Sequence, residues 1–541
     1  MRRFSSAAVL AIVLASSATV MPVVSGQAPA SRFVVSFAAA AHAEPVTGMV
    51  YVAISRDNNR RTPIDQASPT GVPLFSKYVE GLAPGTPVAF GDADRGYPIA
   101  SLRDLPAGEY WVQPFVNVYT RFARADGKTV WMHMDQWEGQ DWKRSPGNVF
   151  GDPVKITYDP KSAEPIKLVA DKVIPPIQPP PDTDMVKRIK IQSAILTKWW
   201  GHPIYLGATV LLPKDYDKHP DVKYPVNYVQ GHFSLAAPGG FGRGGDFDRI
   251  WMADDTPRFL YVTLQHPSPY YDDSYAVNSE NNGPYGDAII QELIPAVETQ
   301  FRAIGQPWAR MLSGGSTGGW IAVAHQVLYP DFYGGSFASC PDAVDFSYHQ
   351  IVDIYNDANA YFFDKGWMKV ERPNQRQPDG NIQSMMKDEN GYELVIGDKS
   401  RSGGQWDIWE ATYSPVGPDG YPRRIWNKET GEIDKSVAEA WKKYDLHYIL
   451  RTNWATLGPK LAHKLNIYVG DMDSYYLNDA VEKLNEFLQK ADNPKFTGEV
   501  VFQRRAPHCW GPRGGDLLQK LAAQVQKYAP QGADLTSWKY Q

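Results

Sequence analysis

The sequence predicts two joined domains: an all-β sandwich, then a mostly parallel α/β sheet interrupted by a long lid-like insertion. Three observations predict this. The proline run "VIPPIQPPPDTD" (Val173–Asp184) holds five prolines in twelve residues. Only strand-like segments precede it, and strand and helix patterns alternate after it. Proline can neither complete a β-ladder nor continue a helix, so the run is a stiff extended spacer and the natural boundary (173–184). A chain of 541 residues also exceeds one ordinary hydrophobic core, which favours such a division.

Before the spacer, at 31–172, "RFVVSF", "GMVYVAIS" and "GEYWVQPFVNVY" are rich in Val, Tyr and Phe, with turn signals "APGT" and "DLPAG" between them. Short β-prone runs with turns and no helical period read as an Ig-like or transthyretin-like sandwich. After the spacer, at 185–541, the strand candidates are "YLGATVLL", "YPVNYVQ", "RFLYVTLQ", "ARMLSG", "GSFASC", "KLNIYVG" and "EVVFQR". Helices fall between them. Ile290, Leu293, Ile294, Val297 and Phe301 recur at helical spacing, with Pro295 expected to kink the helix, and so do Leu477, Val481, Leu484 and Leu488. Such alternation means a parallel sheet covered on both faces. From about 343 to 458 the rhythm fails, and Trp367, Trp406, Trp409, Trp426, Trp441 and Trp454 accumulate. A segment this long is expected to be a lid, its aromatics forming substrate walls.

Composition narrows the class. Apolar residues make up 43% and charged residues 21%, as in globular chains. The net charge is −5 and no basic run could track phosphates, so no nucleic-acid partner is expected. At the N-terminus, Arg2 and Arg3 precede a short apolar stretch and then small residues, the layout of a cleavable secretory signal (1–28). No later stretch is long and apolar enough to span a bilayer, so the expected product is soluble and secreted or periplasmic.

The chemistry lies in "LSGGSTGGW" (312–320). Gly314-Gly315-Ser316-Thr317-Gly318 fits G-x-S-x-G and sits between a strand and a helix. In a nucleophile elbow the serine occupies a tight turn where side chains two positions away would clash, which explains the glycines. A serine needs a base, and the base needs an orienting acid; in this arrangement the chain order is Ser, acid, His. Asp473 follows the strand "KLNIYVG", with Asp471 its competitor and Asp342 and Asp345 more distant candidates. Of the 11 histidines, His508 is the only one beyond that acid. Two donors are needed for the oxyanion. The backbone N–H of Thr317 is one, and that of His232 in "YVQGHF" is the expected second.

With these motifs in order, residues from about 186 to 530 resemble the esterase-D-type α/β-hydrolases, the group that includes feruloyl esterases and enterochelin esterase-like proteins. "YPVNYVQGHF", "YGDAIIQELIPAVETQFR" and "RMLSGGSTGGWIAVAHQVLYPDFYGG" carry the likeness. The resemblance implies an α/β-hydrolase fold, Ser316 as nucleophile, Asp473 as acid and His508 as base. It implies hydrolysis of a carboxylic ester through an acyl-serine, with no metal or organic cofactor. That group usually has His-Gly where this chain has Gln230-Gly231. In this fold Cys340 and Cys509 both fall at the sheet edge that carries the site, and they are expected to be bonded. A disulfide beside the base also occurs in tannase- and feruloyl-esterase-like enzymes.

The expected partner is a small-molecule or glycan-linked ester. Two other readings remain at this stage. A prolyl-oligopeptidase-like peptidase would need a β-propeller, for which the first domain is too short and lacks a blade repeat. A binding protein on a hydrolase scaffold would not need Ser, Asp and His in order.

Overall fold

Strand Val46–Ser55 is buried at all ten positions, a pattern that needs cover on both faces of its sheet. The computed structural model, which describes residues 31–540, supplies both covers; the expected signal segment 1–28 lies outside the described residues. Val50, Val52 and Ile54 face a core shared with Phe33, Val35 and Phe37. There a three-stranded sheet lies against an eight-stranded one built around Val46–Ser55 and the long strand Gly108–Ala123. Met49, Tyr51 and Ala53 point the other way and pack on Tyr392, Val395 and Ile396 from the insertion. The Tyr51 hydroxyl donates to the Ile396 carbonyl, and the Tyr392 hydroxyl donates to that of Ala67 at 2.9 Å. The sandwich is thereby fastened to the insertion.

Residues 174–185 carry no helix or strand. The second sheet then runs through β1 (Val186–Gln192), β2 (Tyr205–Leu211), β3 (Val226–Gln230), β4 (Leu260–Gln265), β5 (Arg310–Gly315), β6 (Gly335–Ser339), β7 (Leu465–Gly470) and β8 (Glu499–Gln503). Their order across the sheet is β1-β2-β4-β3-β5-β6-β7-β8. β2 is antiparallel to both β1 and β4, and the remaining pairs are parallel. This is the α/β-hydrolase arrangement. All six residues of β7 are buried, as a central parallel strand requires. The carboxyl ends of the parallel strands converge on one edge, where such sheets place their ligands.

The helix predicted around Pro295 is one run of three parts: an α-turn at Tyr285–Ala288, a π-turn at Ile289–Leu293, and an α-helix at Ile294–Gln300. Proline lacks an N–H and crowds the carbonyl four residues back, and the wider turn just upstream accommodates both defects.

The insertion is not a loose flap lined with tryptophans. It contains helices Met386–Ile396, Gln405–Tyr413 and Lys435–Trp441 and two short hairpins. The following helix, Leu446–Leu461, packs on helix Thr317–Leu328. Trp406, Trp409, Trp426 and Trp441 are buried. Three of them surround His349 at centroid distances of 5.6, 4.6 and 5.4 Å. Burial pushes that imidazole down to about 3, so it is neutral. Trp454 packs on Phe487, and Trp367 is 89% exposed at a hairpin. The aromatic richness of the segment chiefly extends the hydrophobic core of the sheet.

Candidate active site

β5 ends at Gly315 and the next helix begins at Thr317, leaving Ser316 alone in the turn with φ 56° and ψ −125°. A side chain at positive φ is strained and persists only when its surroundings impose it. Here they do, through close approach of the backbone. A Cβ on Gly314 would lie 2.3 Å from the Gly318 carbonyl oxygen, and one on Gly318 would lie 2.0 Å from that of Gln230. The two flanking glycines are therefore the steric condition of the turn.

The turn lifts Ser316 Oγ to 3.1 Å from His508 Nε2. On the other side of the ring, His508 Nδ1 lies 2.7 Å from Asp473 Oδ2. With Nδ1–H donated to that carboxylate, Nε2 is free to accept the serine proton. Asp473 is completely buried, and its other oxygen accepts the backbone N–H groups of Tyr475 and Leu477. It therefore holds its loop as well as the imidazole. Asp471 instead accepts the Arg505 N–H, and Asp345 is paired with His447 at 2.6 Å. Asp342 stands beside Ser316 itself, with Oδ1 3.3 Å from Ser316 Oγ. Burial pushes its carboxyl above the ordinary range, while the hydroxyls of Tyr275 and Thr317 act to lower it.

Cys340 and Cys509 are bonded, with Cα atoms 4.7 Å apart. The Ser316 N–H reaches Cys340 Sγ at 3.2 Å, and His508 Nε2 lies 4.0 Å from that sulfur. The crosslink thus touches both the serine turn and the histidine loop. In the chain-entropy account, closing a 169-residue separation contributes about 5 kcal/mol by restricting the unfolded chain. Denatured, unreduced protein is expected to show no free thiol, and two after reduction; two before reduction would disprove the crosslink.

Thr317 opens its helix, so its N–H is one of those without an intrahelical acceptor, and it adjoins Ser316. His232 follows β3. Its half-exposed imidazole lies 3.1 Å from Asp272 and 3.4 Å from Asp273. Desolvation opposes its charge, but the two carboxylates prevail and raise its pKa to about 11. These three groups carry donor atoms close enough to share a cation, yet a protonated ring makes the cluster an ion pair. Gln230, at the position where a histidine was the expected pattern, has its Oε1 3.3 Å from His266 Nε2.

Sequence reasoning missed two residues that hold the site. Arg376, from an insertion hairpin, donates to the carbonyls of Asp473 (3.0 Å) and Asp471 (3.3 Å) and to Asn478 Oδ1 (3.2 Å). It clamps the acid loop. Gln405 Nε2 reaches Asp342 at 3.4 Å, and its Oε1 accepts the Tyr271 hydroxyl at 2.7 Å. Neither carries a local signal, since each matters only through contacts distant in sequence. Gln405, Tyr271 and Asp272 also line a cavity of about 560 Å³ whose other walls include Arg144 and Trp142 of the sandwich and Tyr392 of the insertion. Among the described residues no helix is long and apolar enough to cross a membrane.

No known family model matches this sequence, and neither does any curated protein. Among solved structures, a ferulic acid esterase is similar at 17% identity over 64% of this chain and 99% of its own, with a TM-score of 0.35. An S-formylglutathione hydrolase from Agrobacterium tumefaciens is similar at 13% identity over 64% and 92%, with a TM-score of 0.34. A prolyl endopeptidase is similar at 12% identity over 85% of this chain and 49% of its own, with a TM-score of 0.33. The chemistry of the site rests on the distances above and not on these likenesses.

Proposed function

We propose that the protein is a secreted or periplasmic serine hydrolase that cleaves carboxylic esters through an acyl-serine intermediate. The observation that carries this reading is the relay from Ser316 Oγ to His508 Nε2 and from His508 Nδ1 to Asp473, at 3.1 and 2.7 Å. Ser316 Oγ attacks the ester carbonyl as His508 takes its proton. Asp473 keeps the ring in the accepting tautomer and stabilises the imidazolium. The N–H of Thr317, with that of His232 as its partner, receives the charge developing on the carbonyl oxygen. His508 then returns the proton to the departing alcohol, and the acyl group stays on Ser316. Water, deprotonated by the same imidazole, releases the acid and restores the serine. The 560 Å³ cavity beside Gln405 offers room for the rest of the substrate. The sandwich helps to wall it, which gives that domain a part in substrate choice. The disulfide favours an oxidising compartment, in keeping with export.

The test is a fluorophosphonate probe followed by peptide mapping. The expected result is a single adduct on Ser316, together with turnover of simple aryl esters. Failure to label Ser316 would return the chain to the class of binding proteins. Faster cleavage of peptide anilides than of aryl esters would make it a peptidase.

A further inference from the structure

One group at the centre of the site has no part in the relay. Asp342 lies two residues beyond the bonded Cys340, its N–H donates to the Ser316 carbonyl at 3.2 Å, and it is 5% exposed. Its two oxygens are treated differently. Oδ2 is surrounded by donors: the Tyr275 hydroxyl at 2.5 Å, the Thr317 hydroxyl at 3.2 Å and Gln405 Nε2 at 3.4 Å. Tyr275 is itself held by the Trp409 indole N–H at 2.6 Å. Among the described residues, Oδ1 has one partner, Ser316 Oγ.

That partner cannot serve both neighbours. A serine hydroxyl has one hydrogen, and the reaction requires it to point at His508 Nε2. Whenever the nucleophile is aligned, Asp342 Oδ1 is left without a donor among the described residues and is free to accept one from a group in the site. When the hydrogen turns to Oδ1 instead, the nucleophile is idle. Both difficulties vanish if the substrate brings a donor of its own.

We propose that Asp342 selects the acyl group: its Oδ1 accepts a hydrogen bond from a hydroxyl or an ammonium on the carbon next to the scissile carbonyl. This rests on the acyl-serine reading above and adds a substrate class to it. The placement follows from the attack. The carbonyl carbon bonds to Ser316 Oγ, so a substituent one atom further along the acyl chain comes within reach of an oxygen 3.3 Å from Oγ. The alcohol must leave on the His508 side to collect its proton, and the oxyanion must face the Thr317 N–H. The acyl substituent is the part of the substrate left for Asp342. The surrounding charge agrees. Asp272, Asp273 and Asp342 gather around the His232 imidazolium, three carboxylates to one cation, which favours a neutral or cationic acyl substituent beside Oδ1.

The test compares p-nitrophenyl acetate, glycolate and glycinate with wild-type protein and with Asp342→Asn, which keeps the size of the side chain. Taking the wild-type to variant ratio of kcat/KM for each ester cancels the intrinsic reactivity of the esters. A ratio about 10- to 100-fold larger for glycolate or glycinate than for acetate is expected, the range for one hydrogen bond to a charged group. Equal loss on the two donor-bearing esters identifies the hydrogen bond as the selecting feature, and greater loss on glycinate identifies the charge. Wild-type protein gives a second reading that needs no variant: aminomethylboronic acid, a tetrahedral mimic with the donor in place, should inhibit at least tenfold more tightly than ethylboronic acid. If Ser316 labels and the esters turn over, but all three ratios agree or the two boronates bind alike, the role of Asp342 is refuted while the hydrolase reading stands. If Ser316 does not label, both are refuted.

Discussion

Replacing Ser316 by alanine is expected to lower kcat on an aryl ester by about 100,000-fold, equivalent to about 7 kcal/mol of transition-state stabilisation. The fall should not be complete. The Thr317 N–H and the cavity beside Gln405 remain, and in serine hydrolases such residual features still exceed water alone by about a thousandfold or more. The fold should not suffer, because alanine retains the Cβ and removes an oxygen that faces the open site. Ser316→Gly separates chemistry from architecture further. At φ 56° and ψ −125° the wild-type residue is strained by about 1–3 kcal/mol, and glycine relieves that strain. The glycine variant should therefore be equally inactive yet unfold at a higher temperature than wild type. Thermal scans of the two variants check this, and a glycine variant less stable than alanine would show that the turn is unstrained.

The serine turn was legible in sequence because its cause is local. Gly314 and Gly318 are small for reasons that lie within five residues and the end of β3. His508 and Asp473 were legible by order, since the fold allows the acid and base only after particular strands. The contacts among separate elements left no such trace. Nothing local in "NGYELVI" announces that Tyr392, Val395 and Ile396 cover the second face of the sandwich. The tryptophans of the insertion suggested substrate walls, but composition alone cannot separate a wall from a core, and His349 among them is enclosed on the core side. Asp342 was visible only as a distant candidate for the triad acid. Its place beside Oγ depends on where β6 ends relative to β5, a register that the chain sets through sheet pairing.

Lys428 shows how a buried charge in the insertion reaches the site. Its side chain is 1% exposed, and its ammonium lies 2.7 Å from Glu393 and bonds Asp407. Burial opposes the charge of that ammonium, but Asp407 and Glu393 overcome it and keep the lysine protonated. Burial also pushes the Glu393 carboxyl up, and the Lys428 ammonium is what acts to bring it down and favour its charged form. Helix Gln405–Tyr413 has Gly404 at its N-cap and no capping side chain. The Glu393 carboxylate takes that place, accepting the N–H groups of Trp406 at 2.9 Å and Asp407 at 3.1 Å. Gln405, the first residue of that helix, is the one that touches Tyr271 and Asp342. Lys428→Met would leave two buried carboxylates without their cation, and removing one member of such a group costs about 3–5 kcal/mol. The expected result is faster native-state hydrogen exchange in helices Met386–Ile396 and Gln405–Tyr413, with β5 to β7 unchanged. A lower kcat/KM should accompany it as Gln405 loses its anchor, while Ser316 still takes a fluorophosphonate. Neutralising the carboxylates as well, in Lys428→Met/Glu393→Gln/Asp407→Asn, should restore much of the lost protection, because the damage is uncompensated charge and not lost volume. Equal exchange in the single and triple variants would mean that the lysine acts through packing of its stem, and the electrostatic link from the insertion to the nucleophile would have to be abandoned.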